Sequence, residues 1–406
     1  MSMKIKVGIL VASFGILLFT VVGTLSGVRA SSDEGAYRQM QVYSEVLTRV
    51  QREYVEEPNI SAVTGGALHG LLESLDADSS YLTPAEYREY KSSGNAGKVG
   101  IGAAVSKRFG YAAVLSVIPG GPADKAGVEG SDILEAIDGK STHEMSLVQI
   151  RSMLSGQTGS TVTVSVVRPR KADPQKIVVT RDAVTIPPVA DKMMEDGIGY
   201  LKIDSFPQGK SVEIAAKIKA LQKQGAHKLV LDLRQAADGD EAEGIATANL
   251  FLDHGTITYL QGQKHPREAF NADPAKAITD LPVVVLVNRG TAGPAEIIAA
   301  AILENARGDV VGDKTFGEGA IQKLMDLPDG SALILSVAKY YSPGGKAIQD
   351  VAVTPNVLVV DNNEDAGLTE EDADTQAAPD AARPKPSQDD QLKKAIEVLK
   401  KRDVKS

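Results

Sequence analysis

Three kinds of apolar pattern run along this chain. The first is an uncharged run from Val7 to Val28, preceded by Lys4 and Lys6. Its 22 residues are enough to cross a bilayer as a helix and long for the apolar part of a signal peptide. Val28-Arg29-Ala30 offers a cleavage-like site, so a retained anchor and a removed signal both remain open. The second pattern is helical. Val42, Val46 and Val50 share a face with Leu47, and the spacing predicts helix through most of 36–90. Thr83 as N-cap, Pro84 in the first turn and Glu86 three residues on predict another helix start. Ile214, Ile218 and Leu221 repeat the spacing, as do Leu392, Ile396 and Leu399. The third pattern belongs to strands: Ala113 to Ile118, and the continuous runs Leu229 to Leu233 and Val283 to Val287. Strands alternating with helices predict an α/β core with mostly parallel pairing.

Leu281 to Gln322 carries the densest signal. Val283 to Val287 reads as a buried strand and Asn288 to Gly293 as a turn. Pro294 then opens a strong helix former, Ala295 to Leu303. A strand that feeds a tight turn and a helix N-terminus suits a nucleophile, because free main-chain N–H groups there can hold an oxyanion.

These residues resemble the core of the carboxyl-terminal processing proteases, the tail-specific serine peptidases of family S41. That family reads roughly N-x-G-S-A-S-A-S-E, then V-G-x-x-T-F-G-K-G-x-x-Q. Asn288, Gly290, Glu296, Val311, Gly312, Thr315, Phe316, Gly317, Gly319 and Gln322 match it without a gap. The resemblance implies a serine nucleophile at position 293, a lysine base at 318 and a glutamine at 322 that orients the lysine. Here the first two are Gly293 and Glu318, and Gln322 alone is retained. A third departure lies in the loop after Asp232-Leu233-Arg234. The family has D-L-R-x-N-P-G-G there, with glycines that contribute to the oxyanion hole. This chain has Asp238 and then Gly239, and a carboxylate beside a developing oxyanion repels it.

Around this core the resemblance extends from about Ala36 to Val360. Gly199 to Phe206 resembles the family strand G-Y-I-x-I-x-x-F, and Leu75 to Leu82 resembles L-D-x-x-S-x-Y-L. Between them Gly120 to Val128 resembles the PDZ segment G-x-P-A-x-x-A-G-L, and Asp132 to Gly139 resembles D-x-I-x-x-I-N-G. Gly100, Ile101, Gly102 and Ala103 stand where a PDZ loop receives a peptide C-terminus. Main-chain N–H groups would hold the carboxylate, and the next strand would take the peptide as an added strand. Ala103 is smaller than the apolar residue usual there, which weakens the grip on a bulky terminal side chain.

The expected layout is a signal or anchor over 1–30, an N-terminal helical region over 31–94, a PDZ-like domain over 95–182 and a crotonase/ClpP-like α/β core over 183–360. A disordered acidic linker over 361–390 and a C-terminal helix over 391–406 complete it.

Composition narrows the chemistry further. The 406 residues, 43% of them apolar, allow two or three domains. A net charge of −9 argues against nucleic acid as partner. The absence of Cys removes disulfides and thiolate sites. No G-x-S-x-G or H-E-x-x-H motif is present, and His69 has no partner at metal-ligand spacing. No metal or cofactor is implied. Thr291 and Lys314 form a conceivable hydroxyl/amine pair. The plainer reading makes Thr291 a non-catalytic turn residue and Lys314 a solvated loop residue.

The expectation is an exported protein, periplasmic or extracytoplasmic, either anchored in the inner membrane or released from it. It acts in cell-envelope proteolysis, binding protein C-terminal peptides or an adaptor through a peptidase scaffold without catalysis. Two alternatives stand beside it: an active serine-type endopeptidase with an unusual site, and a structural subunit of a hetero-oligomer with an active paralogue.

Overall fold

The run Val283–Val287 shows why the core is built as it is. In the computed structural model it is a strand buried along its whole length. Val283, Val285 and Val287 point into one apolar cluster with Ile214, Ile218, Leu221, Ile297, Ile298 and Ile302. Val284 and Leu286 point the other way, toward Ala395 and Leu399 of the helix Asp390–Lys401. A strand covered on both faces needs apolar residues at every position, and this is the signature of a parallel sheet between helices.

That sheet has six strands in the order Ala190–Met193, Ile198–Lys202, Lys228–Asp232, Val283–Val287, Gly308–Gly312, Val357–Leu358. All neighbours pair parallel except the first two. A second, antiparallel sheet orders Ser80–Leu82, Ala332–Tyr341, Thr256–Gln261 and Glu268–Asn271, with Ala320–Asp326 also on Ala332–Tyr341. The helix Asp390–Lys401 packs on the core, burying Ala395 and Leu399.

The structure describes residues 35, 37–92, 98–108, 110–168, 173–360 and 389–402. The run 7–28, most of the Ser/Gly linker at 92–97 and most of the acidic segment over 361–390 lie outside them. Among the described residues no helix is long and apolar enough to cross a membrane.

The chain divides into two compact units, 1–68 and 69–406. In the first, residues 37–53 are helical, with Tyr37, Met40, Val42, Tyr43 and Val46 exposed. The second holds everything from His69 onward. The sequence pattern extends helix through 36–90 and one helical region through 94. In the structure Ser80–Leu82 is instead a strand, in register with Ile334, Leu333 and Ala332. Sheet pairing overrides the local pattern there. Pro84–Ser92 is then a helix, with Tyr87 Oη donating to Asp326 Oδ1 at 2.6 Å.

The PDZ-like part orders its strands Ala103–Arg108, Tyr111–Val117, Ile133–Ile137, Thr161–Val167 and Gln175–Thr180, so Ala103–Arg108 is an edge. Beside it lies the helix Leu147–Leu154, which Ser146 and Gln149 cap reciprocally. Ile101, Val114, Leu134, Leu147 and Ile150 fill the core.

Candidate active site

Glu296 is the centre of the site. It lies in the first turn of the helix Pro294–Glu304 and is fully buried. Its Oε2 accepts main-chain N–H groups from Gly293 at 3.1 Å and Glu318 at 2.8 Å. Its Oε1 accepts the Gly317 N–H at 2.9 Å and the Thr315 hydroxyl. One carboxyl group thus ties the turn before the helix to the 315–318 loop. Burial pushes this carboxyl up to about 8, against the pull of its four donors. Sequence reasoning matched Glu296 to the family motif but assigned it no role.

Gly293 sits at φ 57 and ψ −120, a backbone conformation that favours glycine. A Cβ built there meets nothing within 4 Å. Space for a side chain exists, and backbone strain is the obstacle to it. The sequence reading expected free N–H groups at this helix N-terminus. The Gly293 N–H is instead committed to Glu296.

The neighbouring loop begins at Asp232. Tyr200 Oη donates to Asp232 Oδ2 at 2.7 Å, and Arg234 grips both carboxylate oxygens at 3.0 and 2.6 Å. Burial alone raises the Asp232 carboxyl, but Arg234, Lys202 and Tyr200 together bring it below the ordinary range. Arg234 also holds Asp389, the N-cap of the C-terminal helix. Past it, the Ala292 N–H donates to the Ala236 carbonyl at 2.9 Å, which brings the 235–240 loop against the 288–293 turn. Gly239, at φ 136, packs its Cα on the Phe206 main chain, where any Cβ would collide at 2.4 Å. Asp238 is open to water on one side. Burial of its other side still raises its carboxyl, opposed by the Gly239 N–H and by Arg151.

Glu318 takes the base position, with its side chain about a quarter exposed. Burial pushes its carboxyl up to about 7; Arg151 opposes the shift, and Asp78 and Glu241 add to it. Burial raises Asp78 and Glu241 as well. The surroundings of position 318 are therefore acidic. The cation that meets them is Arg151, on the PDZ helix, with Nη2 at 3.3 Å from Glu318 Oε1. Leu115 of the PDZ sheet packs with Ala237 and Ala292, and Ala104 and Phe316 lie beside them. The PDZ-like part thus covers the turn and the loop on both sides of Gly293.

Two further candidate residues do not join the site. Gln322 is exposed and donates to the Ala320 carbonyl at 3.0 Å, next to a β-bulge between Ile321 and Gln322. Its amide is spent on its own strand, so the expected orienting role at position 318 finds no support. Thr291 is fully buried, donates to the Leu233 carbonyl at 2.9 Å and accepts the Asn288 N–H at 3.0 Å. That is a structural turn hydroxyl. Lys314 is exposed.

In the PDZ loop, the Ile101 and Gly102 carbonyls accept from Ala123 N at 2.7 Å and Ile118 N at 2.8 Å, which fixes the loop against the segment that follows the strand Tyr111–Val117. Ile101 buries its side chain in the PDZ core, so only its main chain is available to a peptide. Gly102 holds φ 74 and Ala103 begins the edge strand. Asp78, Arg151 and Glu241 escaped sequence reasoning. Each comes from a segment remote from the motif, and nothing local marks it.

Comparison with known proteins fits this geometry. Residues 197–359 match peptidase family S41, and residues 114–168 match a PDZ domain. A carboxyl-terminal-processing protease of Picosynechococcus is 38% identical over 68% of this chain and 68% of its own length. The carboxy-terminal processing protease CtpA of Bacillus subtilis is 30% identical over 86% of this chain and 74% of its own. A solved photosystem II D1 C-terminal processing protease superposes with a TM-score of 0.65 at 28% identity, covering 79% of this chain and 92% of that one. With the two-sheet core, the PDZ domain and a motif that aligns without a gap, this chain belongs to peptidase family S41, among the carboxyl-terminal processing proteases.

Proposed function

We propose that this chain is an exported, catalytically inactive member of its family that binds protein C-terminal peptides or a partner without cutting them. The observation that carries the reading is the pair Gly293 and Glu318. The nucleophile position has no side chain, and the base position carries a carboxylate in an acidic surround. Amide cleavage by the family's chemistry needs a hydroxyl activated by a neutral amine, and neither group is present. The Thr291 hydroxyl is no substitute, since its proton is given to the Leu233 carbonyl and the residue is fully buried. Export rests on Lys4 and Lys6 ahead of the uncharged run.

Peptide binding is supported by the edge position of Ala103–Arg108 and by the glycine loop that precedes it. A subunit role beside an active paralogue is favoured by the exposed apolar side chains of 37–53. The test is incubation of the purified protein with an unstructured, apolar-tailed substrate, read by mass spectrometry. No cleavage is expected. Cleavage that disappears in Thr291→Ala would overturn the proposal in favour of an unusual threonine site.

A further inference from the structure

Arg151 bridges the PDZ edge strand and position 318. It projects from the PDZ helix Leu147–Leu154 toward the edge strand Ala103–Arg108, and its Nη2 donates to the Val105 carbonyl at 3.2 Å. The same nitrogen lies 3.3 Å from Glu318 Oε1. A peptide that adds as a strand along this edge competes with Arg151 for the strand's main-chain groups. In a chain with lysine at position 318, an arginine at this distance would be repelled. The Arg151–Glu318 pair thus depends on the carboxylate at the base position.

We propose that Arg151 selects peptides with an acidic side chain close to their C-terminus, and that capture of Arg151 by such a peptide releases Glu318. The inference rests on the peptide-binding reading above. The strand advances about 3.3 Å per residue, so a peptide whose terminal carboxylate sits at Gly100–Gly102 meets Val105 about three residues before its end. A carboxylate at that point of the peptide takes the place of Glu318 as partner of the guanidinium. An amide of the same shape loses the charge-assisted bond. Glu318 competes for the same cation from within the chain, so its loss frees Arg151 for either peptide. Arg151 is half exposed and Glu318 only partly buried, so the effects are modest in size.

The test uses the full chain and two labelled decapeptides with free C-termini. They differ only in Glu or Gln at the third residue before the end, and binding is followed by fluorescence anisotropy. The Glu peptide is expected to bind about fivefold tighter, in line with a partly exposed charge pair. Arg151→Met removes the difference, and Glu318→Gln tightens binding of the Glu peptide about threefold by removing its competitor. Equal affinity of the two peptides for the unaltered chain overturns the selection. Unchanged affinity in Glu318→Gln overturns the coupling to position 318. Failure of both peptides to bind overturns the peptide-binding reading itself, and this inference with it.

Discussion

Glu296 holds the main-chain N–H of Glu318 at 2.8 Å, from a position with no exposure to water. The loop that carries position 318 is thus fastened to the helix that follows position 293. This fastening is part of the buried core and does not depend on which side chains stand at 293 and 318.

The raised Glu296 carboxyl makes a pH prediction. Its value in the folded chain is about 8, against an ordinary 4.5. Between these values the folded state binds more protons than the unfolded one. Its contribution to stability is therefore complete below the ordinary value and lost as pH rises through the folded one. Thermal unfolding should come at lower temperature at about pH 8.5 than at about pH 5.5. Glu296→Gln should lower stability at both, because an amide N–H then faces a main-chain N–H, and should flatten this slope. An unaltered slope in Glu296→Gln would assign the titration to another group.

Arg234 links two parts of the core, the strand end at Asp232 and the C-terminal helix at Asp389. Arg234→Met takes from buried Asp232 its bidentate partner and leaves it Tyr200 and the charge of Lys202. A loss of about 3–5 kcal/mol is expected, read as a fall in the urea midpoint. Combining it with Asp232→Asn should recover part of the loss, since the stranded charge is then absent. A double variant no more stable than the single would sink that account.

Peptide recognition through the Gly100–Gly102 loop predicts dependence on a free C-terminus. The loop offers main-chain donors while Ala103 offers little apolar grip, so weak binding that vanishes on C-terminal amidation is expected. The full chain titrated with paired free and amidated peptides provides the measurement. Equal affinities would show that the carboxylate is not read.

The sequence made the core legible where one segment determines its own environment. Val283–Val287 announces a strand buried on both faces, and Pro294 announces the helix. The substitutions at 293 and 318 were equally plain, because the motif around them is intact. Three features were not legible, and each depends on pairing over a long stretch of chain. Ser80–Leu82 is a strand only because Ala332–Ile334 lies beside it. Gln322 turns outward at a bulge that no local signal marks. Arg151 reaches Glu318 across 167 residues of chain, brought there by long-range packing such as Leu115 on Ala237 and Ala292 and Val148 on Leu82 and Ala332.

Restoring the missing groups tests how much of the catalytic frame remains. In Gly293→Ser with Glu318→Lys the hydroxyl has room, since no atom lies within 4 Å of the new Cβ. Serine at φ 57 and ψ −120 is strained, a cost of about 1–3 kcal/mol. Strained strand-to-helix turns do carry nucleophiles elsewhere, so this strain alone does not forbid activity. Three other features oppose it. The new lysine meets Arg151, which sits 3.3 Å from the present Glu318. Gln322 faces solvent and does not orient the amine. The Gly293 N–H is held by Glu296, so one oxyanion donor is already engaged. The double variant should therefore cleave peptide barely or not at all. Adding Asp238→Gly should raise the rate, because it removes a repulsion felt mainly in the transition state. Adding Arg151→Ala should raise it again, because the lysine then loses a cation that holds it away from the hydroxyl. Peptide cleavage by the double, triple and quadruple variants, run side by side, separates these effects. A triple variant no faster than the double would mean that Asp238 does not face the oxyanion. A quadruple variant no faster than the triple would mean that Arg151 swings clear once its partner is gone.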